Sequence, residues 1–172
     1  MGFRVKLIAL LTSVCLCAAP FLRAGGLSTA EHRVKAEFLF NFLKFIEWSN
    51  PPKSGVWLIG VIGAERLARQ MSQTVRGRTV RGRIVQVRQF TRIADAKDCQ
   101  ILFLGRDRED DEPVPVKPDL LTVGEMSGFL DAGGAMNFYI DSGRVRFEIR
   151  PAIAHAVGLH ISAQLLKLGR TQ

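Results

Sequence analysis

Cysteine is nearly absent from this chain. Of 172 residues three are Cys, and two of them, Cys15 and Cys17, fall inside an N-terminal apolar run. With that run removed, Cys99 stands alone, which excludes an internal disulfide and any metal site built on several thiolates. Cys99 directly precedes the apolar residues 101–104, so burial is expected, with pairing between chains as the alternative. Histidine is scarce as well: His32, His155 and His160. The last two stand five apart on what reads as one helix, which turns them about 140° from each other, so no shared metal is expected. No Ser sits in a nucleophile elbow, and no His lies near Cys99 in sequence. The acidic stretch 107–112 lacks the ligand spacing of a calcium loop. Gly60 and Gly63 end a strand and open a helix, where backbone N–H groups can hold an anion, but the three-glycine dinucleotide fingerprint is missing. The plainer reading there is a tight turn. The sequence therefore carries no catalytic constellation, no metal site and no cofactor motif, and an enzyme is not expected.

Long hydrophobic runs are missing too, except at the start. Residues 7–22 are apolar, follow Arg4 and Lys6, and lead to the small residues Ala24, Gly25 and Gly26. That pattern is a secretory signal peptide over residues 1–24. As a membrane anchor it is short, since a span needs roughly 20 apolar residues. Cleavage is expected after Ala24, with Ala19 the alternative. A lipidated cysteine is disfavoured because the bulky Val14 and Leu16 precede the two candidates. The formal charge is +8; residues 1–24 hold three basic and no acidic residues, leaving 21 basic against 16 acidic and a net +5. An exported protein of that charge is not expected to meet DNA or mRNA, so the basicity speaks to solubility and partners rather than to fold. Residues 25–172 suit one domain with its own core.

What is present has clear periodicity. Residues 29–48 read as a helix, with Val34, Phe38, Phe42, Phe45 and Ile46 near a 3.6 period and Asn50-Pro51-Pro52 as its stop. Its aromatics, Phe38, Phe40, Phe42, Phe45 and Trp48, are too many for one narrow stripe. Most belong in a core, while Phe38, Phe42, Phe45 and Trp48 are candidates for an edge facing a partner. Residues 56–62 form an apolar strand, 64–72 a short helix, 84–88 a half-buried strand, 91–98 a helical turn, and 100–104 and 119–123 two further strands. The charged, proline-rich residues 106–119 are a surface loop. Residues 135–140 and 144–149 flank Asp141-Ser142-Gly143 as a β-hairpin. Pro151 opens a last helix with the stripe Ile153, Val157, Ile161, Leu165 and Leu168. The expected fold is an α/β layered sandwich: a mostly parallel sheet, an antiparallel hairpin near the C-terminus, and helices on both faces.

Residues 74–83 write TVRGR twice, four arginines in ten positions. No aromatic lies between Thr74 and Arg88, so single-stranded nucleic acid, which stacks on aromatics, is excluded as a ligand. The first copy reads as loop and the second as the start of a strand, with Arg81 and Arg83 sharing a face. A small anionic ligand could be held there by Arg81 and Arg83, joined by Arg146, Arg150 and His160 if the fold assembles them. The alternative is a solvated loop and strand edge. On that reading, replacing Arg76 and Arg78 with Ser leaves folding and partner binding unchanged.

The pieces in this order resemble the YfiR-like family. AEHRVKAEFLFNFLKFIEWSN is similar to its first helix, with a V-K-A stretch followed by aromatic-rich N-F and W. VRGRIVQVRQF, CQILFLG, LLTVGEMSGFLDAGGAMNFYI and RVRFEIRPAIAHAVGLHISAQLLKLG match later pieces and cover nearly all of residues 25–172. The resemblance implies an exported, periplasmic, non-enzymatic regulator of α/β fold that needs no cofactor. It implies a homodimer that binds the periplasmic domain of an inner-membrane diguanylate cyclase, or a similar sensor, and holds it off. Release would raise cyclic di-GMP and favour biofilm growth. Two features depart from the resemblance. Cys99 is alone where disulfide-bonded members carry pairs, and residues 106–118 are short and proline-rich where relatives often carry a longer helical segment.

Overall fold

The computed structural model describes residues 25–109 and 112–172; the signal-peptide reading of residues 1–24 lies outside them. In chain order the elements are α1 (Gly25–Phe45), β1 (Ile46–Trp48), β2 (Val56–Ile62), α2 (Glu65–Thr74), β3 (Thr79–Val80) and β4 (Arg83–Gln89). A 3-10 turn (Ile93–Asp95) follows, then β5 (Ile101–Leu104), β6 (Leu121–Gly124), β7 (Met136–Asp141) and β8 (Arg144–Ile149). The chain closes with α3 (Pro151–Ala156), β9 (Leu159–Ile161), α4 (Ala163–Leu168) and β10 (Arg170–Thr171).

One eight-stranded sheet runs β10-β8-β7-β6-β5-β2-β4-β3. Its five central strands, β7, β6, β5, β2 and β4, pair in parallel. The hairpin β7–β8 and the short β3 add antiparallel pairs at its margins. The mostly parallel sheet with a C-terminal hairpin is as expected. The apolar runs 56–62 and 101–104 are buried on both faces, as parallel strands between two layers must be.

The two faces are covered differently. Ala36, Leu39, Phe42 and Leu43 of α1, Leu67 and Met71 of α2, Ala154 of α3 and Leu165 of α4 all enter one core cluster. Phe38, Phe42, Phe138 and Phe147 stack there with ring centroids 5.1–6.5 Å apart, a spacing that adds directional attraction to burial. The opposite face buries Ile62, Leu102 and Leu104 under Ile93, Ala96, Cys99, Phe129 and Leu130. Helices on both faces were expected; the second face carries the 3-10 turn and loops instead. Glycine permits this close cover. A Cβ on Gly124 would lie 2.4 Å from the Phe129 ring, and one on Gly60 would lie 2.8 Å from the Cys99 sulfur. Cys99 is buried, as its sequence context predicts, and burial pushes its thiol up to about 11.

Both long helices of the sequence reading end earlier here. The first ends at Phe45, and Ile46–Trp48 becomes β1, paired antiparallel with β9 through Ile46↔Ile161 and Trp48↔Leu159. The last is broken. Gly158 takes φ +81 and its N–H donates to His155 O at 3.0 Å, which ends α3 after six residues. Leu159 and Ile161 then alternate with exposed His160, and the Ser162 hydroxyl accepts from Leu165 N–H at 3.2 Å to cap α4. Each half of the expected helix thus has its own start and stop.

Buried polar groups are matched in pairs. Gln100 continues the β2 ladder by accepting from Leu58 N–H at 2.8 Å, and Thr122 accepts from Ala135 N–H at 3.1 Å. Lys35, 3% exposed, lies between Glu31 and Glu125, the latter at 2.5 Å. Its charge is tolerable in the interior because both neighbours oppose it.

Candidate functional site

Strand β2 is where the winding of the sheet reverses. Helix α2 carries the chain from β2 to β4 on one side, and the chain then crosses to β5 on the other. The loops at the carboxyl ends of β2 and β5 diverge there, and open α/β sheets bind ligands at such a point. A cleft of about 1100 Å³ occupies the position, walled by Gly63, Ala64 and Arg66, by Phe90 beyond β4, by residues 107–109 beyond β5, and by His32 of α1.

The floor depends on one glycine. Gly63 has φ +63, and a Cβ there would lie 2.2 Å from Arg108 N. Without a side chain, the loop after β5 can lie across the turn, and Asp107 N–H donates to Gly63 O at 3.1 Å. No side chain caps the first turn of α2 at Ala64, so its positive end lies in the wall of the cleft. The lining holds both signs of charge. Arg69 approaches Glu65 at 3.5 Å, and Asp95 is held by Arg92 at 3.0 Å, which keeps that carboxyl below its usual range. Arg66 is exposed and takes no partner among the described residues.

The five basic residues proposed from sequence as one anion site are not assembled. Arg81 and Arg83 stand at the β3–β4 hairpin and Arg146 and Arg150 at β8, with four strands between β4 and β8. At about 4.8 Å per strand that separation is roughly 24 Å. His160 belongs to the separate β1–β9 pair. Two of these groups are also occupied. Arg150 donates to Leu130 O and to Asp131, both at 2.7 Å, and Arg81 donates to Ile46 O at 3.3 Å. Arg81 does not share a strand face with Arg83: with φ +49 it forms, with Gly82 at φ +75, the two-residue turn of the hairpin. Positive φ at both positions is the geometry that matches the twist of antiparallel strands.

The first TVRGR copy has a different job from the second. Thr74 ends α2, and Gly77 at φ +70 reverses the chain after it. Arg78 then reaches back to Glu37 of α1 at 2.9 and 3.0 Å and lies 3.6 Å from the centroid of Phe40. Arg78 is therefore structural, contrary to the expectation that it is dispensable.

The aromatic candidates divide. Phe42 and Trp48 are core residues, Trp48 donating from Nε1 to Asp119 O at 3.0 Å. Neither is available to a partner. Phe38 and Phe45 are half-buried against the same core. His155 and His160, expected to diverge, have ring centroids 5.6 Å apart because the helix breaks between them. Sequence reasoning missed Arg66 and His32 as cleft residues. The signal available for Arg66 was its place three residues after Gly63 in a strand-to-helix turn.

Fold and cleft define a layered α/β domain that wraps its sheet in helices on one side and opens at the switch point. Residues 32–170 match the YfiR/HmsC-like family model, and the chain belongs to that family. No curated protein matches it. Among solved structures it is similar to the ABC domain in complex with L-Trp from Streptococcus pneumonia, at 11% identity and a TM-score of 0.49. That likeness covers 82% of this chain and 60% of the other.

Proposed function

We propose that the protein is an exported, periplasmic regulator that restrains a membrane-bound diguanylate cyclase, or a similar sensor, by binding its periplasmic domain as a homodimer. The observation that carries this reading is the family match over residues 32–170. The apolar, basic-flanked residues 1–24 support export. No helix among the described residues is long and apolar enough to cross a membrane. The mechanism is selection by binding: the regulator favours the inactive state of its partner by its difference in affinity for the two states. Moving that equilibrium from 99:1 to 1:99 takes a preference of about 5.5 kcal/mol. Of the aromatic candidates only Phe38 and Phe45 remain reachable for such contact. Affinity capture from detergent-solubilised membranes is expected to recover a membrane protein with a cyclase domain. Repeated capture that yields no receptor or cyclase would overturn the reading.

The cleft favours a second reading, a binding protein for a small anionic ligand. Its basis is the position at the switch point together with the uncapped first turn of α2 and the unpaired Arg66.

A further inference from the structure

His155 and His160 stand on two different elements, the last turn of α3 and the middle of β9. Gly158, at φ +81, turns the chain between them and folds both imidazoles to one side. Both side chains are exposed, and their rings meet edge to face at 78° with centroids 5.6 Å apart. Metal–imidazole bonds of about 2.1 Å place two ring centroids roughly 5–5.5 Å apart at a tetrahedral angle and roughly 4.5 Å apart at the right angle of a square site. The pair stands just outside the tetrahedral spacing, and rotation of two exposed rings brings it to either one. Glu47 lies directly across the β1–β9 ladder from His160, and both are exposed, so a carboxylate shares the face. It favours a cation there without itself being a ligand. Among the described residues no group of three or more His, Cys, Asp or Glu is arranged to hold a metal ion. The protein therefore supplies two nitrogen ligands and leaves the other positions to water or to a second molecule.

We propose that His155 and His160 form a two-histidine chelate for a late first-row divalent metal ion. Imidazole without thiolate suits Cu²⁺, Ni²⁺ and Zn²⁺, and the usual order of stabilities puts Cu²⁺ first. The site is independent of the switch-point cleft, whose histidine is His32. The test is titration of the protein, purified without a histidine tag, with Cu²⁺, Ni²⁺ and Zn²⁺ against a weak chelator. Electron paramagnetic resonance of the Cu²⁺ form reads the number of nitrogen ligands. One equivalent is expected to bind, with two nitrogens in the spectrum. His155→Ala and His160→Ala should each weaken binding roughly tenfold or more, since each removes the second point of attachment. His32→Ala should bind as the parent does. Because the two rings are exposed, melting temperatures of the single variants control for folding. Absence of saturable binding in the parent, or parental affinity in His155→Ala and His160→Ala, would overturn the proposal.

Discussion

At the scale of single residues, Lys35 is the least exchangeable charge in the described chain. It is 3% exposed on α1 and meets Glu125, 90 residues away at the carboxyl end of β6. The V-K-A stretch that marks the first helix and the G-E at the end of β6 are thus two halves of one contact. An isostere without charge leaves Glu31 and Glu125 facing each other with nothing between them. Removing one partner of a buried pair generally costs about 3 kcal/mol or more. Lys35→Met is expected to lower unfolding free energy by about that amount in urea titrations, with m unchanged. A loss below about 1 kcal/mol would mean that water reaches the pair. Nothing local in the sequence announces this contact: a lysine three residues before Phe38 reads as surface, and only the folded sheet brings a carboxylate to it.

At the scale of elements, the doubled TVRGR shows how one pentapeptide takes two structures. Its glycines both adopt positive φ, but Gly77 follows a helix and Gly82 closes a hairpin. The difference lies upstream, in whether the preceding residues have hydrogen-bond partners in α2 or in β4. The arginines differ accordingly. Arg76 is exposed and takes no partner among the described residues, whereas Arg78 joins α1 through Glu37 and Phe40. Arg76→Ser is expected to change stability by less than about 0.5 kcal/mol. Arg78→Ser should cost about 1 kcal/mol, the sum of a half-exposed ion pair and a cation–π contact. Thermal or urea unfolding of the two single variants side by side checks this, and equal effects would remove the distinction. The same scale explains the early helix ends. Apolar residues at 153, 157, 161 and 165 satisfy a helical period, yet Leu159 and Ile161 also alternate, and a tertiary partner in β1 decides between them. Strand positions were legible because continuous apolar runs and the Asp141-Ser142-Gly143 turn are local signals. The break after Val157 rests on one glycine, and glycine inside a helical stripe is ambiguous by itself.

At the scale of the whole molecule, strand order decides which charges can act together. Hydrophobic pattern marks each strand but carries no record of its neighbours, so Arg83 and Arg146 looked combinable and are separated by the width of four strands. The same order brings Gly63, Arg66 and His32 to one cleft although they come from a turn and two helices. If that cleft takes a small anion, phosphate or citrate in millimolar excess should raise the melting temperature. A ligand at 100 times its Kd adds about 2.7 kcal/mol, which for a chain of this size is roughly 5–10 °C. Arg66→Glu together with Arg69→Glu should abolish that rise. The baseline melting temperature should stay nearly unchanged, because the exposed Arg69–Glu65 pair contributes at most about 0.5 kcal/mol. Reversal at position 66 sets a carboxylate in the first turn of α2, which stabilises the helix slightly, offsets the new Glu65 repulsion at position 69 and opposes any anion. A shift that survives the double reversal would place the anion elsewhere. A parent that shows no shift, beside membrane capture that succeeds, would leave the cleft without a ligand and the regulator intact, since the two readings rest on different surfaces.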